Sequence, residues 1–554
     1  MTADYTAAAR AWIDQDPDDV TRAELEAVLD AAGSGDAEAT ADLASRFSAR
    51  LEFGTAGLRG ELGAGPNRMN RVLVAQAAAG FAAYLLERGE SPSAVIGYDG
   101  RHNSQVFAKD TAEIFQGAGI RAILLPRLLP TPVLAFAVRH LGVSAGVMVT
   151  ASHNPAADNG YKVYLGDADR GSQIVAPADA AIAEQIERVA SSRSILDLPR
   201  ATDYEIAGEA VLDEYVRRTA ALAPADVQPL TVVYTAMHGV GWETAQRVFA
   251  DAGFAAPIVV EEQISPDPDF PTVAFPNPEE PGALDLAFAK AAEVGADLII
   301  ANDPDADRLA IAIPDADGSW RRLSGNEVGS LLGWRAAERL AGSGERGTLA
   351  ASIVSSPALG AVANAYGLTF TETLTGFKWV SRVDDLAYGY EEALGYLVDP
   401  EKVRDKDGIS AAVEFVALVS ALKAAGSDLL AHELAFADKF GAYASSQISI
   451  RVADLAEIPR IMSGLRAAPP AQIGSLTVDR IDDFEHGFGL FPAGDILRIH
   501  LHGNARVIVR PSGTEPKLKV YIDASSTEGS PAERIERAQA LVDELDAAMR
   551  SLVA

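Results

Sequence analysis

Short apolar runs alternate with stretches of helical spacing along most of this chain. Near the N-terminus, Leu25, Val28 and Leu29 recur at helical spacing, after Thr21-Arg22-Ala23-Glu24, which fits a capping box. Gly33, Ser34 and Gly35 interrupt, and a second helix is predicted to run to about Phe47, so residues 1–50 read as a helical extension. A helix is predicted near 70–88. Val95–Tyr98 and Ala122–Leu125 read as strands, each followed by a helix, the second of which starts at Pro130-Thr131-Pro132. Val147-Met148-Val149 is a buried strand stopped by Asn154-Pro155, and Asn159–Tyr164 is the next strand. This alternation predicts a mainly parallel sheet. Ligands bind such sheets at the carboxyl ends of the strands, where the loops Asp99–Ser104 and Thr150–Pro155 fall.

The pattern then repeats. A helix near Val211–Leu222 opens a second α/β unit, whose strand Leu230–Tyr234 runs into Thr235–Gly241 and echoes the earlier strand-to-polar-loop step. Pro266–Pro281 is an irregular connection. Asp297–Ala301 and Leu309–Ile313 are strands around an acidic turn. A third unit starts near Leu323 with a helix over Glu327–Leu340. Gly342–Gly347 matches a dinucleotide fingerprint by letter but lies after a helix and before the strand Thr348–Val354, the reverse of the order that motif requires, so it reads as a loop. The last unit, from about Ala442, alternates short strands and helices and includes strands at Arg506–Val509 and Lys517–Ile522.

Length and composition narrow the class. With 554 residues, 48% hydrophobic and 23% charged, the chain is globular and suggests three to four domains. A net charge of −31 argues against nucleic acid or an anionic membrane as partner, and it obliges any phosphate site to gather its own cations. The absence of cysteine excludes disulfides, thiolate catalysis and cysteine-ligated zinc. The start of the chain lacks the pattern of a signal peptide, and no apolar run is long enough for a span, so a cytoplasmic protein is expected. The sequence carries no signal for oligomeric state.

Four loops carry chemistry. Ser152 stands at the end of a rigid strand, between Ala151 and His153, as a reacting hydroxyl would; an ordinary strand-to-loop turn is the alternative. Phe53–Gly60 puts glycines around Arg59, which suits either a phosphate contact or a solvated turn. Asp303, Asp305 and Asp307 alternate in a tight turn. They can converge on one hard cation, or remain a solvated acidic loop. An EF-hand is excluded because Arg308 and Pro314 stand where that motif needs glycine and glutamate. Arg510-Pro511-Ser512-Gly513-Thr514-Glu515-Pro516 reads as a phosphate cradle or a hairpin turn. Polar loops at Thr373–Trp379 and Glu391–Tyr396, followed by Asp405-Lys406-Asp407-Gly408, offer side chains for sugar hydroxyls or simply surface charge.

Taken in order, the loops Thr150–Pro155, Asp303–Arg308, Glu391–Tyr396 and Arg510–Pro516 make the chain resemble the α-D-phosphohexomutase family, the phosphoglucomutases and phosphomannomutases. Gly376-Phe377-Lys378-Trp379, Glu391–Tyr396 and Asp405–Gly408 are most similar to the phosphoglucomutase/phosphopentomutase branch. The resemblance implies an α/β chain of four domains around a central cleft. Three would be similar mixed α/β units and the fourth a smaller, mobile α+β unit, with boundaries at 51–207, 208–322, 323–441 and 442–554. It implies a mutase that interconverts hexose 1-phosphate and hexose 6-phosphate, most of all of glucose. Phosphomannomutase and phosphopentomutase are the near alternatives, a metal-dependent sugar phosphatase a distant one, and a sugar-phosphate sensor the non-enzymatic one.

The resemblance also implies roles for residues. Ser152 would be the phosphoserine and, with Asp303, Asp305 and Asp307, would hold one Mg²⁺. Arg59, His153 and Lys162 would assist proton transfer or stabilise charge, with Lys162 the base if neighbouring cations lower its pKa and His153 its rival. Arg308, Gly376, Lys378, Glu391 and Lys406 would meet substrate, and Arg510, Ser512, Gly513 and Thr514 would hold the phosphate that is not transferred. A sugar 1,6-bisphosphate would be activator and intermediate. Ala393 departs from the serine of many members, which removes one sugar contact.

Overall fold

The computed structural model describes residues 5–54, 57–315, 317–452, 456–512 and 517–553. It divides into two compact units, Met1–Arg322 with Gly395–Ala417, and Leu323–Leu394 with Leu418–Ala554. Among the described residues no single helix is long and apolar enough to cross a membrane.

The first unit opens with three helices, Thr6–Ile13, Asp19–Gly33 and Ala37–Phe47. The expected capping box at Thr21 is not formed. Asp18 caps instead, its carboxylate accepting from the Val20 N–H, and the Thr21 hydroxyl donates to Asp16 at 2.6 Å inside the helix. Two aspartates lie closer to the first turn, and aspartate caps at least as well as threonine. Trp12, Leu25 and Leu43 from these helices are buried in the same core as the first sheet.

That sheet runs in the order Leu58–Glu61, Asp158–Leu165, Ala145–Val149, Ser93–Tyr98, Arg121–Leu124, Glu205–Ile206. The strands from Ala145–Val149 to Glu205–Ile206 are parallel. The sheet is more mixed than the alternation of elements suggests, because the serine loop returns the chain antiparallel as Asp158–Leu165, and Leu58–Glu61 pairs antiparallel with that strand. Ala145–Val149 is buried throughout, as a strand covered on both faces must be.

The second sheet of this unit runs Trp320–Arg322, Leu309–Pro314, Leu298–Asn302, Val232–Thr235, Ile258–Val259. The echo between the two sheets is a real structural repeat. The Thr150 hydroxyl accepts from the Ser152 N–H at 2.9 Å, and the Thr235 hydroxyl accepts from the Met237 N–H at 3.0 Å. Both turns place a non-glycine residue in the left-handed region, Ser152 at φ 52° and Met237 at φ 48°. The segment Gly395–Ala417 joins this unit through a bridge between Arg308 and Gly395.

In the second unit, a Ser324/Glu327 capping box starts the helix Gly325–Ser343. Gly344 closes it at φ 73° and the strand Thr348–Ser352 follows, so the stretch Gly342–Gly347, expected as a loop, starts within the last turn of the helix and leaves it at Gly344. Thr348–Ser352 pairs in parallel with Thr369–Thr373 and with Leu386–Glu391. The C-terminal part is an antiparallel sheet in the order Ala442–Arg451, Lys517–Ser526, Ala505–Pro511, Leu497–Leu501, Leu476–Asp483, Gln472–Ile473. Its core takes Ile458, Met462 and Leu465 from the helix Glu457–Ala467, and Val542, Leu545 and Met549 from the helix Pro531–Val553.

Candidate active site

In the first unit the strand Ala145–Val149 delivers Ser152 to a loop that a buried arginine holds rigid. Arg101, 4% exposed, donates to the carbonyls of Ser152 at 2.7 Å, Asn154 at 2.5 Å, Pro155 at 2.7 Å and Asp158 at 3.0 Å. Its guanidinium rests 4.9 Å from the centre of the Phe270 ring. The Ser152 hydroxyl donates to Asp303 Oδ2 at 2.7 Å and lies 3.1 Å from His153 Nδ1. Arg59 reaches the same loop through Asn154 Oδ1 at 3.3 Å.

The acidic turn between Leu298–Asn302 and Leu309–Pro314 is closed by Ala306 at φ 56°, and all three of its aspartates are fully buried. One oxygen from each of Asp303, Asp305 and Asp307 lies within 4.8 Å of the others. Three cations and a hydroxyl hold the turn. Lys162 Nζ donates to Asp305 Oδ2 at 2.7 Å and to Asp307 Oδ2 at 2.8 Å. Lys406 Nζ stands 3.4 Å from Asp307 Oδ2, and Arg308 Nε stands 4.0 Å from Asp303 and 3.9 Å from Asp307. The Thr131 hydroxyl donates to Asp305 Oδ2 at 2.6 Å. Asp305 Oδ1 and Asp307 Oδ1 are buried and have no hydrogen-bond partner among the described residues. Converging carboxylate oxygens, two of them orphaned, are a donor set suited to a hard cation, and the solvated-turn alternative does not survive complete burial.

The electrostatics follow from this packing. Burial, together with Asp305 and Asp307, raises Asp303 well above the usual carboxylate range. Burial would raise Asp307 as well, but Lys162, Lys406 and Arg308 hold it far below. Burial, Arg308 and Arg59 push His153 well below the ordinary imidazole value, so its ring is neutral. For Lys162 burial is the largest influence and pulls downward, yet Asp305 and Asp307 outweigh it and the pKa is raised. The nearest neighbours of Lys162 are carboxylates, and Lys406 and Arg59 act against them.

Two side chains at this centre have no signal in the sequence beyond their element. Thr131 stood only as a helix start, and Arg101 only as part of a loop at the right sheet edge. Lys406 is braced from behind, since Asp405 accepts from Tyr164 at 2.8 Å and from Gln173 at 2.7 Å.

The remaining predicted residues lie in the second unit. The Gly376 N–H donates to Glu391 Oε1 at 2.6 Å, which joins two of the polar loops, and Lys378 Nζ lies 5.8 Å from the Trp379 ring centre. Arg510 ends the strand Ala505–Pro511, and the Ser512 N–H donates to the Lys517 carbonyl at 2.7 Å. Gly513 and Thr514 lie outside the described residues.

A buried serine hydroxyl facing converging carboxylates, two lysine ammonium groups and a guanidinium on an α/β scaffold is an arrangement suited to phosphoryl transfer. The chain matches four family models, the phosphoglucomutase/phosphomannomutase α/β/α domains I, II and III over residues 50–193, 213–318 and 324–435, and the C-terminal domain over 448–545. A probable phosphomannomutase of Haemophilus influenzae is 55% identical over 467 residues, covering 84% of this chain and 95% of that protein. A probable phosphoribomutase of Schizosaccharomyces pombe is 36% identical over 556 residues, covering 93% and 92%. The solved structure of a putative phosphomannomutase from Thermus thermophilus superposes with a TM-score of 0.70 at 24% identity, covering 91% of this chain and 99% of that one. The chain belongs to the phosphoglucomutase/phosphomannomutase family and has its four domains. It is a mutase, an intramolecular phosphotransferase acting on a phosphorylated sugar.

Proposed function

We propose that the chain interconverts glucose 1-phosphate and glucose 6-phosphate through a phosphoserine at Ser152 and glucose 1,6-bisphosphate. The observation that carries this reading is the buried Ser152 hydroxyl held between Asp303 and His153, beside the other two aspartates and Lys162. In the first half-reaction the phosphorus–Oγ bond breaks, the phosphoryl group passes to the free hydroxyl of the sugar, and that hydroxyl's proton ends on Ser152 Oγ. In the second, the bond between the other phosphorus and its sugar oxygen breaks, that phosphoryl group passes to Ser152 Oγ, and the Oγ proton ends on the sugar oxygen set free. His153 is neutral, within reach of Oγ, and is the base we assign; Lys162, held cationic by two carboxylates, neutralises charge on the transferring oxygens. Arg59 and Arg308 add to that field.

Asp303, Asp305 and Asp307, with an oxygen of the Ser152 phosphate, would hold Mg²⁺. A hard dication there supplies charge neutralisation for the phosphoryl group. Gly376, Lys378, Glu391 and Lys406 are assigned to the sugar, and Arg510, Ser512, Gly513 and Thr514 to the distal phosphate. The domain boundaries 51–207, 208–322, 323–441 and 442–554 are retained; the segments matched by the second, third and fourth family models fall inside them.

The test is a coupled assay with Mg²⁺ and a trace of glucose 1,6-bisphosphate, comparing the 1-phosphates of glucose, mannose and ribose at matched concentrations. Glucose at least ten times faster than either rival is the expected result. Mannose or ribose at an equal or higher rate overturns the sugar assignment, and release of inorganic phosphate in place of isomer overturns the mutase assignment.

A further inference from the structure

The second unit contains a buried ion network that the proposed reaction does not use. Glu372, on the strand Thr369–Thr373, accepts from Arg498 Nη1 through Oε2 at 2.9 Å and from Arg506 Nη1 through Oε1 at 3.1 Å. The two arginines come from paired strands of the C-terminal sheet, Leu497–Leu501 and Ala505–Pro511, and their side chains are 9% and 10% exposed. Each also has a partner within that sheet. Arg498 Nε donates to Asp482 at 3.0 Å, and Arg506 Nε donates to Asp523 at 2.9 Å. Arg506 makes one more bond across the seam, from Nη2 to the Ser355 carbonyl. Apolar contacts surround these bonds. Ile508 and Tyr521 of the C-terminal sheet pack with Ile353 and Val354, and Leu374 borders the same cluster.

Both parts of the assigned substrate site are attached to this seam. Alternation along the strand puts Arg510 on the face that carries Arg506 and Ile508. On the other side, the Ser355 hydroxyl accepts from the Glu392 N–H at 3.1 Å and donates to Glu392 Oε2 at 3.1 Å, beside Glu391. Leu374 stands two residues before Gly376, whose N–H donates to Glu391. An arginine fork has fixed geometry, so its bonds to Glu372 and to the Ser355 carbonyl set distance and angle together. A ligand held at both ends binds more tightly when the separation of its two contacts is set beforehand, because less ordering is left for the binding step.

We propose that Glu372 and Arg506 are positioning residues that clamp the C-terminal sheet to the loops after Thr348–Ser352 and Thr369–Thr373. The clamp presets the separation of Glu391 from Arg510, so that one sugar phosphate bridges the two. The proposal rests on the assignment of those two loops to the sugar and to the distal phosphate.

Steady-state kinetics of the full chain with Mg²⁺ test it, on whichever 1-phosphate of glucose, mannose or ribose the wild type turns over fastest, with inorganic phosphate as competitive inhibitor. Inorganic phosphate cannot bridge the two loops, so its inhibition constant is blind to their separation. Glu372→Gln keeps the volume and one acceptor and is expected to raise KM at least about threefold, and Glu372→Ala at least about tenfold. In both, kcat should stay within about twofold of wild type and the inhibition constant should not move. Arg506→Lys keeps a charge beside Asp523 but loses the fork, and it should match Glu372→Ala. The double variant should be no worse than either single one, since both act through one contact. A lowered kcat or melting temperature with KM unchanged, or a rise in KM matched by an equal rise in the inhibition constant, overturns the proposal. Arg510→Gln tests the loop assignment separately and should raise both constants. Unchanged constants for Arg510→Gln remove that assignment and the proposal with it. Wild-type constants for the Glu372 and Arg506 variants, beside an effect of Arg510→Gln, remove the proposal alone.

Discussion

At the scale of single residues, the reaction centre rests on a few short hydrogen bonds between groups far apart in sequence. Ser152 is the reacting group in the proposed scheme, and its hydroxyl has no substitute nearby. Ser152→Ala is expected to lower turnover by at least about a thousandfold while the melting temperature stays within a few degrees of wild type. Near-normal turnover in the coupled assay would end the phosphoserine scheme. Thr131 touches no reacting atom; it orients Asp305. Partners of this kind, when removed, typically weaken metal affinity by about 10- to 100-fold. Thr131→Val should therefore shift the Mg²⁺ concentration for half-maximal activity upward by that range, with most of the rate recovered at saturating Mg²⁺. A loss that Mg²⁺ does not restore would assign Thr131 a purely structural role. Ser152 and the three aspartates were legible because their loops have a fixed local spacing. Thr131 and Arg101 were not, because each acts on a loop more than fifty residues away in the chain.

At the scale of elements, close approaches decide which loops meet. Gly408 begins the helix Gly408–Ala424, and a Cβ there would lie 2.2 Å from the Arg308 carbonyl oxygen. Only glycine lets this helix start against the acidic turn and carry Lys406 to Asp307. In the second unit, the helices Gly325–Ser343 and Leu429–Phe440 meet through Trp334 and His432, stacked at 4.3 Å with an interplanar angle of 2°. Burial lowers the His432 imidazole to about 4 from 6.5. Between those values the unfolded chain binds more protons than the folded one, so this contribution to stability is complete above about pH 6.5 and is lost as the pH falls toward 4. The ring is partly open to solvent, which limits the effect to about 1 kcal/mol. Thermal unfolding at pH 7.5 and pH 5.0 should show a larger acid loss for wild type than for His432→Phe, which keeps the stack. Equal losses would remove His432 from the account.

At the scale of the whole molecule, a net charge of −31 opposes a dianionic substrate, and the local cations Arg59, Lys162, Arg308 and Lys406 must overcome it. Added salt screens the distant charges before it screens the buried ones. Raising NaCl from about 10 to 100 mM should increase kcat/KM for the sugar phosphate by roughly twofold, since the Debye length falls from about 30 to 10 Å. A monotonic decrease over that range would show that the local cations already govern encounter.

The order of elements, the three α/β repeats, the place of Gly342–Gly347 between a helix and a strand, and the loops bearing Ser152 and the aspartates were determined by the sequence itself. All depend on local periodicity, turn residues and spacing, which neighbouring residues alone can specify. Two local readings gave way to packing. The cap at Thr21 yielded to Asp18, and the first sheet proved mixed because Asp158–Leu165 returns antiparallel after the serine loop. The tertiary structure alone decided that the acidic turn is buried and held by Lys162, that Arg101 fixes the serine loop, and that Lys162 is raised and His153 lowered in pKa. Burial and distance between segments far apart in the chain set those properties, and neither is contained in any one stretch of sequence.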